Sequence, residues 1–427
     1  MNSQHNDKFV IQGQTPIGGS IAVVGAKNAA IKALAASLVL DGASEIKNVP
    51  NIEDISRLVE IMQDLGVEMQ FDGVSTYKII NPQIKKNILD PDLHQKTRSS
   101  LLLAGPILLQ QGQVTFAYPG GCVIGKRPID FFLKGFAEFG VEVEEQADGF
   151  RLVANDLHAA KIVFTRMSVT GTEAMMTFAS RVPGKTTLVN VAMEPEIVAL
   201  ADFLNSCGAK ISGAGTPVIT IEGVDRLNGG MYHTIPDRIE AGTFAILGAA
   251  TNAELEVTNI IPEHLSVFWQ LLKQAGVNFE LGSDSVKILP QTRPLQAIRK
   301  DIVTHEYPGF PTDLQAPMTV LMTQAQGTSV VYETIYEGRL FYIDKLNTMG
   351  ADIMMADPHR VIVNGPTKLQ GSKLSSPDIR AGMAMVIAGI LAKGQTEIDN
   401  IYQIDRGYQD LENRLSQIGA QIKRIKG

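Results

Sequence analysis

Polar and charged side chains recur at one place in this sequence, where long apolar stretches begin. Fourteen residues before a recurring turn residue stand Asn28, Arg98, Thr170, Arg238, Asp313 and Arg380. If each apolar stretch is a helix, these residues lie at its N-terminus, where Asn, Thr and Asp are common caps. Arginine is disfavoured there because its charge opposes the helix dipole. Arginines at helix N-termini instead suit an anion held jointly with the helix, and we predict that role for Arg98 and Arg380.

A second polar set follows the strand expected after each helix. Twelve residues past the turn residue stand Asp54, Glu196, His264, Arg339 and Arg406. The two arginines add to the cations that could hold an anion, whereas solvent-exposed loop charges are the alternative interpretation of this set. Capping is the favoured role for Thr170. An exposed or structurally paired arginine is the alternative for Arg98, Arg238 and Arg380, with Asp237 and Glu240 as the neighbours of Arg238.

The stretch YPGGCVIGKRPID at 118–130 contains Cys122, one of the two cysteines of the chain. The adjacent Lys126 and Arg127 favour the thiolate form of Cys122 and therefore its reactivity with electrophiles. No histidine is near it in sequence, which disfavours a Cys-His hydrolytic site. Cys207 occupies an apolar position of a helix pattern, and we expect it to pack in a core. The cysteines and histidines lack metal-ligand spacing, so we predict no metal site.

The elements that must position these residues are repeated six times. Glycines separated by 68 to 74 residues are Gly66, Gly140, Gly208, Gly276, Gly350 and Gly419. Apolar residues stand four and eight positions before each of them, which is the spacing of one helix face. We expect each glycine to be a left-handed C-cap that is followed by a short strand.

A second type of helix precedes each amphipathic one. Stretches such as AAIKALAASLVL at 29–40 and AGMAMVIAGILA at 381–392 are apolar nearly all round, as expected of a helix buried between layers. One unit cannot bury its own apolar faces, so several units must close around a shared core. The second of the six repeats has 28 residues between its turn residue and its glycine, whereas the other repeats have 23 to 25. The extra residues fall at 118–128 and predict a functional surface loop.

Length and composition are those of a globular protein with more than one domain. The chain has 427 residues, 44% of them hydrophobic, and a formal net charge of −7, which disfavours broad nucleic-acid binding. Its apolar stretches are shorter than the roughly 20 residues of a membrane span, and its first residues show no signal-peptide pattern. Two cysteines are too few for a disulfide framework. We therefore predict a soluble, cytoplasmic protein without nucleic-acid or membrane partners, and the oligomeric state stays open.

Six motifs resemble those of the UDP-N-acetylglucosamine enolpyruvyl transferase family. They are GAKNAA at 25–30, PGGCVIGKRPID at 119–130, EPEIV at 194–198, PDRIEAGTF at 236–244, FPTDLQA at 310–316 and YQIDRGY at 402–408. The resemblance implies an α/β fold, a two-domain inside-out α/β barrel built from six repeats of about 70 residues, three in each domain. It implies one domain at 25–235, another at 1–24 plus 236–427, and an active site between them.

The reaction implied by the resemblance transfers the enolpyruvyl group of phosphoenolpyruvate to the 3-hydroxyl of UDP-N-acetylglucosamine, with release of phosphate. It is an addition and elimination in the committed step of peptidoglycan synthesis, and it needs neither a metal nor an organic cofactor. Phosphoenolpyruvate brings a phosphate and a carboxylate, so several fixed cations must converge on it. The positions that match this role, or are expected in the same cluster, are Lys27, Arg98, Arg127, Arg339, Arg380 and Arg406.

Three residues are implied to be catalytic. Lys27 matches a family cation at the reacting group, and Asp313 matches the carboxylate proposed as general base toward the sugar hydroxyl. The helix N-terminus would keep Asp313 ionised. Cys122 matches a loop thiol that can add to phosphoenolpyruvate, is linked to protonation or product release, and is alkylated by fosfomycin. Its loop would close over the cleft as a lid.

The sugar nucleotide is implied to contact a further set of positions. They are Asn28, Arg127, Pro128, Ile129, Asp130, Arg166, Ser168, Val169, Thr170, Asp313 and Ile335. The sequence departs from the family pattern where Arg166 replaces a frequent lysine, Thr170 a frequent glycine and Phe132 a polar residue. Arg166 keeps the charge, whereas the other two departures bear on acceptor identity rather than on reaction type.

Two alternatives stay open at this stage. Shikimate 3-phosphate enolpyruvyl transferases share the architecture and the cation cluster but lack the cysteine loop. A nucleotide-sugar-binding paralogue without catalysis is the non-enzymatic alternative. The joint presence of Lys27, Cys122, Asp313 and Arg406 disfavours it, since a binding module has little use for that set.

Overall fold

The computed structural model describes residues 7–118, 129–300 and 302–427. Of the predicted site residues, Cys122, Arg127 and Pro128 lie outside the described residues. The strands are β1 (Lys8–Gln12), β2 (Gly19–Ala22), β3 (Ser44–Lys47), β4 (Glu68–Phe71), β5 (Tyr77–Asn81), β6 (Gln113–Ala117), β7 (Val141–Gln146), β8 (Gly149–Ala154), β9 (Lys161–Val163), β10 (Gly184–Val189), β11 (Lys210–Ser212), β12 (Val218–Gly223), β13 (Met231–His233), β14 (Leu255–Thr258), β15 (Phe279–Leu281), β16 (Ser285–Ile288), β17 (Ile302–Val303), β18 (Gly327–Tyr332), β19 (Asp352–Asp357), β20 (Arg360–Gly365), β21 (Lys373–Ser375), β22 (Gln395–Asp399) and β23 (Gln421–Ile425).

Helices alternate with these strands along the chain. They are α1 (Lys27–Ala36), α2 (Glu53–Asp64), α3 (Pro91–His94), α4 (Ala104–Gln111), α5 (Asp130–Glu138), α6 (Val169–Ala179), α7 (Pro195–Ser206), α8 (Arg238–Ala250), α9 (Ser266–Gln274), α10 (Gln315–Met322), α11 (Ile343–Thr348), α12 (Ile379–Leu391), α13 (Tyr402–Asp405) and α14 (Leu411–Gln417). Short 3-10 turns precede several of them, among them Arg98–Leu103 before α4 and Thr312–Leu314 before α10. Among the described residues, no helix combines the length and the apolarity that a membrane span requires.

The chain separates into two compact units. The first unit comprises residues 25–118 and 129–235, and the second comprises 7–24, 236–300 and 302–427. Each unit buries its own cluster of apolar side chains, as independent domains do.

Six sheets are formed by the described strands, three in each unit. In the first unit their strand orders are β13-β3-β5-β4, β6-β8-β7 and β11-β12-β10-β9. In the second unit they are β15-β16-β14-β2, β17-β18-β20-β19 and β21-β22-β1-β23. Each four-stranded sheet contains one parallel pair, such as β9 with β10 or β17 with β18, and is otherwise antiparallel. Because a parallel pair needs a crossover, α6 and α10 connect these two pairs and cover their sheets. The fold is therefore α/β.

The predicted helix pattern is confirmed at its apolar positions and at its glycines. The residues four and eight positions before each repeat glycine are at most 2% exposed. All six glycines have φ between 77° and 104°, a left-handed conformation that costs glycine nothing. The apolar helices are also as predicted, since α8 buries residues 239–249 and α12 buries residues 380–390.

Candidate active site

Three predicted site residues converge in the second unit. Asp313 Oδ1 lies 2.8 Å from Arg339 Nη2, and Asp313 Oδ2 lies 3.1 Å from Arg380 Nη2. The arginine side chains are 6% and 5% exposed, whereas that of Asp313 is 25% exposed. One carboxylate therefore bridges two buried guanidinium groups. Two guanidinium groups held side by side form a suitable site for a phosphate or a carboxylate.

Helix starts of the second unit position two of these side chains, Asp313 and Arg380. Asp313 lies in the 3-10 turn that opens α10, and Arg380 is the second residue of α12. The N-cap of α12 is Asp378, whose Oδ1 accepts hydrogen bonds from the backbone N–H of Arg380 and Ala381 at 2.8 and 3.0 Å. This negative cap offsets the unfavourable placement of a cation at a helix N-terminus. The same arrangement recurs at α8, where Asp237 caps the helix and Arg238 follows it.

Tyr408 also holds Arg380 in place. Arg380 Nη1 donates to the Tyr408 hydroxyl at 3.3 Å, and the guanidinium lies 5.6 Å from the centre of that ring. The Tyr408 hydroxyl is 3.1 Å from Thr243 Oγ1 on α8. Burial lowers the pKa of Arg380 and Arg339, but Asp313 and the other acidic groups around them together outweigh it, so the pKa of both guanidinium groups lies above its ordinary value. Both therefore stay charged at any physiological pH.

Arg406 and Ile335 lie in loops of the same unit. Arg406 follows α13 and donates to Gln403 Oε1 at 3.0 Å. Its neighbour Asp405 pairs with Arg424 at 2.7 Å, which ties this turn to the last strand. Ile335 is half-buried in the loop that leads from β18 to Arg339.

In the first unit, Lys27 is the first residue of α1 and pairs with Asp54. Lys27 Nζ lies 3.0 Å from Asp54 Oδ2, and their side chains are 12% and 6% exposed. Asp54 and Arg339 both belong to the second polar set, and Glu196 of that set is also buried. The solvent-exposed interpretation is therefore wrong for these three residues, because Asp54 and Glu196 are buried at the second positions of α2 and α7, and Arg339 is buried against Asp313.

The other predicted positions of the first unit also cluster at helix starts. Arg98 opens the 3-10 turn before α4, after its N-cap Thr97. Ser168 is the N-cap of α6, and its Oγ accepts from the backbone N–H of Gly171 at 3.1 Å. The capping role considered for Thr170 is therefore wrong, because Ser168 already fills it. The remaining positions are Asn28, second in α1; Val169 and Thr170, which open α6; Asp130, which opens α5; the buried Ile129; and the exposed Arg166.

The pairing of Arg238 with Glu240, considered as an alternative from the sequence, is not what the structure shows. Glu240 instead forms a two-pronged ion pair with Arg414, at 2.6 Å and 3.0 Å. Arg238 lies over the ring of Tyr307, 5.5 Å from its centre.

Phe132 belongs to the core of the first unit and not to its polar surface. It is 1% exposed and packs edge-on against Phe136, with ring centres 4.8 Å apart. The side chain therefore adds to an aromatic cluster, and the bearing of this departure on acceptor identity stays a prediction. Cys207 is buried and free, as predicted, and burial raises the pKa of its thiol.

A second ion pair in the first unit connects α1 to α6. Lys32 Nζ lies 3.3 Å from Glu173 Oε2, and both side chains are almost fully buried. Burial raises the pKa of Glu173 to about 8, although Lys32 opposes the shift. Within residues 7–118, 129–300 and 302–427, no three His, Cys, Asp or Glu side chains are grouped as metal ligands would be.

Glu173 is expected to make a contribution to stability that falls as the pH rises from about 5 to about 8. The folded state binds the Glu173 proton more tightly than the unfolded state does, and this advantage is lost as the carboxyl ionises through its raised pKa. Glu173→Gln stays neutral and should flatten the dependence. Urea midpoints at three pH values measure it, with the exposed Glu138→Gln as control. Parallel pH curves for wild type and Glu173→Gln would contradict the assignment.

Comparison with known proteins gives one consistent family. The family model for EPSP synthase (3-phosphoshikimate 1-carboxyvinyltransferase) matches residues 11–415. The UDP-N-acetylglucosamine 1-carboxyvinyltransferase of Halothermothrix orenii is 41% identical over 419 residues, covering 98% of this chain and 100% of that protein. The protein of the same name from Coxiella burnetii is 38% identical over 421 residues, covering 98% and 96%.

Two solved structures share the fold of this chain. The enolpyruvyl transferase NikO from Streptomyces tendae has a TM-score of 0.90 at 24% identity and covers 99% of this chain and 100% of that one. The EPSP synthase of Acinetobacter baumannii has a TM-score of 0.76 at 16% identity and covers 98% and 100%.

Proposed function

Because the chain belongs to the EPSP synthase family and, within it, to the UDP-N-acetylglucosamine 1-carboxyvinyltransferases, we propose that it transfers the enolpyruvyl group of phosphoenolpyruvate to the 3-hydroxyl of UDP-N-acetylglucosamine. Phosphate leaves in the reaction, and the product enters peptidoglycan synthesis in the cytoplasm. The three sheets and three buried helices of each unit are consistent with the inside-out α/β barrel of six repeats.

The observation that supports this function most directly is the carboxylate of Asp313 between two buried arginines. Addition of a hydroxyl to phosphoenolpyruvate needs a base for the hydroxyl proton and fixed cations for the phosphate and the carboxylate. Arg339 and Arg380 supply two such cations, and both are held within 3.1 Å of Asp313. We propose that the anionic substrate takes over these guanidinium groups and leaves Asp313 free to accept the proton.

The first unit supplies the remaining roles in this proposal. Lys27, Arg98 and Arg127 hold phosphoenolpyruvate together with Arg339, Arg380 and Arg406. The sugar nucleotide contacts Asn28, the 127–130 stretch, the start of α6 with Arg166, and Ile335. Thr170 stands where relatives frequently have glycine, and its half-buried position at the start of α6 makes it the residue to vary when acceptor preference is measured.

Phosphate release with purified protein tests the function. Turnover is expected with phosphoenolpyruvate and UDP-N-acetylglucosamine, with a product heavier by the enolpyruvyl group in a mass spectrum. Shikimate 3-phosphate should not replace the sugar nucleotide. Turnover of shikimate 3-phosphate alone would assign the chain to the other activity of the family, and absence of turnover with both acceptors would leave a binding protein.

Cys122 should be the residue that fosfomycin alkylates. The sequence places its thiol beside Lys126 and Arg127, which favour the reactive thiolate. Cys122→Ser is expected to lower the inactivation rate constant by at least about 100-fold, because a serine hydroxyl is not ionised at neutral pH. Cys207→Ser is the matched control, since the Cys207 thiol is buried and its pKa is raised. Equal protection by the two substitutions would contradict the lid assignment.

A further inference from the structure

One position recurs directly after a central strand in four of the six sheets. Asparagine occupies it after β3, β10, β14 and β22, with φ between 54° and 58°. The Nδ2 group of each asparagine donates to the backbone carbonyl that follows the parallel neighbouring strand, at 2.6 to 2.9 Å. The donors are Asn48, Asn190, Asn259 and Asn400, and the acceptors are Thr234, Phe164, Val23 and Ser376. These asparagines clamp the ends of two parallel strands together.

Glu333 occupies this position after β18, next to the Asp313 cluster. It keeps the link to the parallel strand, because Thr304, which follows β17, donates from Oγ1 to Glu333 Oε1 at 3.0 Å. The carbonyl that follows β17 is held by Thr334, whose hydroxyl donates to the backbone oxygen of Thr304. Because Thr334 makes this clamp, and because Glu333 is not among the residues with a left-handed backbone, the buried carboxylate needs a further reason.

The additional contacts of Glu333 supply that reason. Its Oε1 accepts from the backbone N–H of Ile335 and Tyr336 at 2.8 and 3.1 Å. Its Oε2 accepts from Thr312 Oγ1 at 2.8 Å. Glu333 is fully buried, and a buried carboxylate is tolerated where several donors satisfy it. Both oxygens of Glu333 are satisfied in this way.

A chain of hydrogen bonds continues from Glu333 to the proposed base. Because Thr312 Oγ1 donates to Glu333, its lone pair is directed at Arg339, whose Nη1 donates to it at 2.7 Å. Arg339 Nη2 in turn pairs with Asp313 Oδ1 at 2.8 Å. Because the Glu333 carboxylate can only accept and the Arg339 guanidinium can only donate, the two groups together fix the direction of both hydrogen bonds of the Thr312 hydroxyl.

We propose that Glu333 is a positioning residue that orients Arg339 and, through it, Asp313 for the reaction. It does so through Thr312, and it fixes the backbone at Ile335 and Tyr336. Glu333 itself touches no substrate in this assignment. The assignment rests on the proposed function, because it takes Arg339 as a ligand of phosphoenolpyruvate.

Glu333→Asn is the sharpest substitution, because it installs the residue that serves as clamp in four other sheets. The clamp that Thr334 makes on the Thr304 carbonyl is left in place, whereas the reach to Thr312 is lost. We expect kcat/KM for phosphoenolpyruvate to fall about 10- to 100-fold, as for loss of a buried charge-assisted hydrogen bond. Thr312→Val breaks only the branch to Arg339. It should raise the KM for phosphoenolpyruvate about tenfold and leave the KM for UDP-N-acetylglucosamine within about twofold.

A double-mutant cycle separates positioning from general destabilisation. If both residues act through Arg339, Glu333→Asn with Thr312→Val should lose no more than about twofold beyond Glu333→Asn alone. Asn259→Ala, which removes a clamp of the same unit, should lower the melting temperature, and its effect on rate should multiply with that of Thr312→Val. Wild-type kcat/KM in Glu333→Asn, or fully multiplicative losses in the double variant, would overturn the proposal. Should Glu333→Asn not fold, Thr312→Val alone decides, and an unchanged KM for phosphoenolpyruvate in that variant would overturn the proposal.

The outcome can be told apart from failure of the proposed function. Calorimetric titration with phosphoenolpyruvate measures the Arg339 site without turnover. Weaker binding to Glu333→Asn than to wild type would uphold the positioning role even in a protein that does not turn over UDP-N-acetylglucosamine. If wild type turns over and Glu333→Asn binds phosphoenolpyruvate and turns over equally well, the positioning role is contradicted while the proposed function stands.

Discussion

Asp313→Asn is expected to lower kcat by about three orders of magnitude while the affinity for UDP-N-acetylglucosamine changes little, since a general base contributes about 10²- to 10⁴-fold. The asparagine has the same shape and can still accept a hydrogen bond from Arg339 or Arg380. It cannot take a proton from the sugar hydroxyl. Initial rates of phosphate release measure kcat, and calorimetric titration with the sugar nucleotide measures binding.

Asp344→Asn is the matched control for this experiment. Asp344 is exposed on α11 in the same unit, and its substitution should leave both quantities unchanged. If Asp313→Asn kept kcat within about tenfold of wild type, another group would have to accept the proton. If instead the sugar nucleotide no longer bound, Asp313 would be a binding residue whose contribution to kcat could not be separated.

The helices and their glycines were predictable because they depend on local spacing. Leu58 and Met62 lie on one face of α2, the helix that ends just before Gly66. The same spacing in the other five repeats predicted five further helices of this type. A left-handed glycine needs only the end of its own helix, so its conformation follows from nearby sequence. Ser168 was harder to find, because a cap can move by two residues without changing the apolar pattern.

The chemistry of the site was predictable only residue by residue. Arg380 and Asp313 stood out because an arginine and an aspartate began helices that were otherwise apolar. Their ion pair joins residues 67 positions apart, and no local pattern indicates such a distance. Asp54 was in the right set, but its burial depends on how α1 and α2 pack.

Glu333 was missed for a different reason. Its role is visible only when its position is compared with the asparagines that follow the central strands of other sheets, and those positions are known only once the strands are. The signal was nevertheless in the sequence, since Asn48, Asn190, Asn259 and Asn400 recur six or seven residues after the turn residue of four repeats. A departure from such a pattern beside a catalytic cluster is a useful sign of a positioning residue.

Lys27→Met is expected to lower kcat/KM for phosphoenolpyruvate about 10²- to 10³-fold, the range for loss of one fixed electrostatic group in an active site. Lys27 opens α1, where the helix dipole disfavours a cation, and its N-cap Ala26 supplies no side-chain acceptor. Asp54 offsets this cost, because its Oδ2 lies 3.0 Å from Lys27 Nζ. Two residues before Lys27, Gly25 packs so tightly that a Cβ there would lie 1.7 Å from the Asn48 carbonyl oxygen. Such a constrained cation is the expected design for a charge that must not move during the reaction.

Asp54→Asn separates the charge of Lys27 from its placement. This variant keeps the ammonium group but loses its partner, so kcat/KM should fall less than in Lys27→Met, by about tenfold. Lys78→Met, at an exposed position of β5 in the same unit, should have no effect. Melting temperatures show whether loss of the buried pair has unfolded the protein, and Lys27→Arg, which keeps the charge, should recover part of the rate. Equal losses in Lys27→Met and Asp54→Asn would mean that the ion pair, and not the positive charge itself, is what the reaction requires.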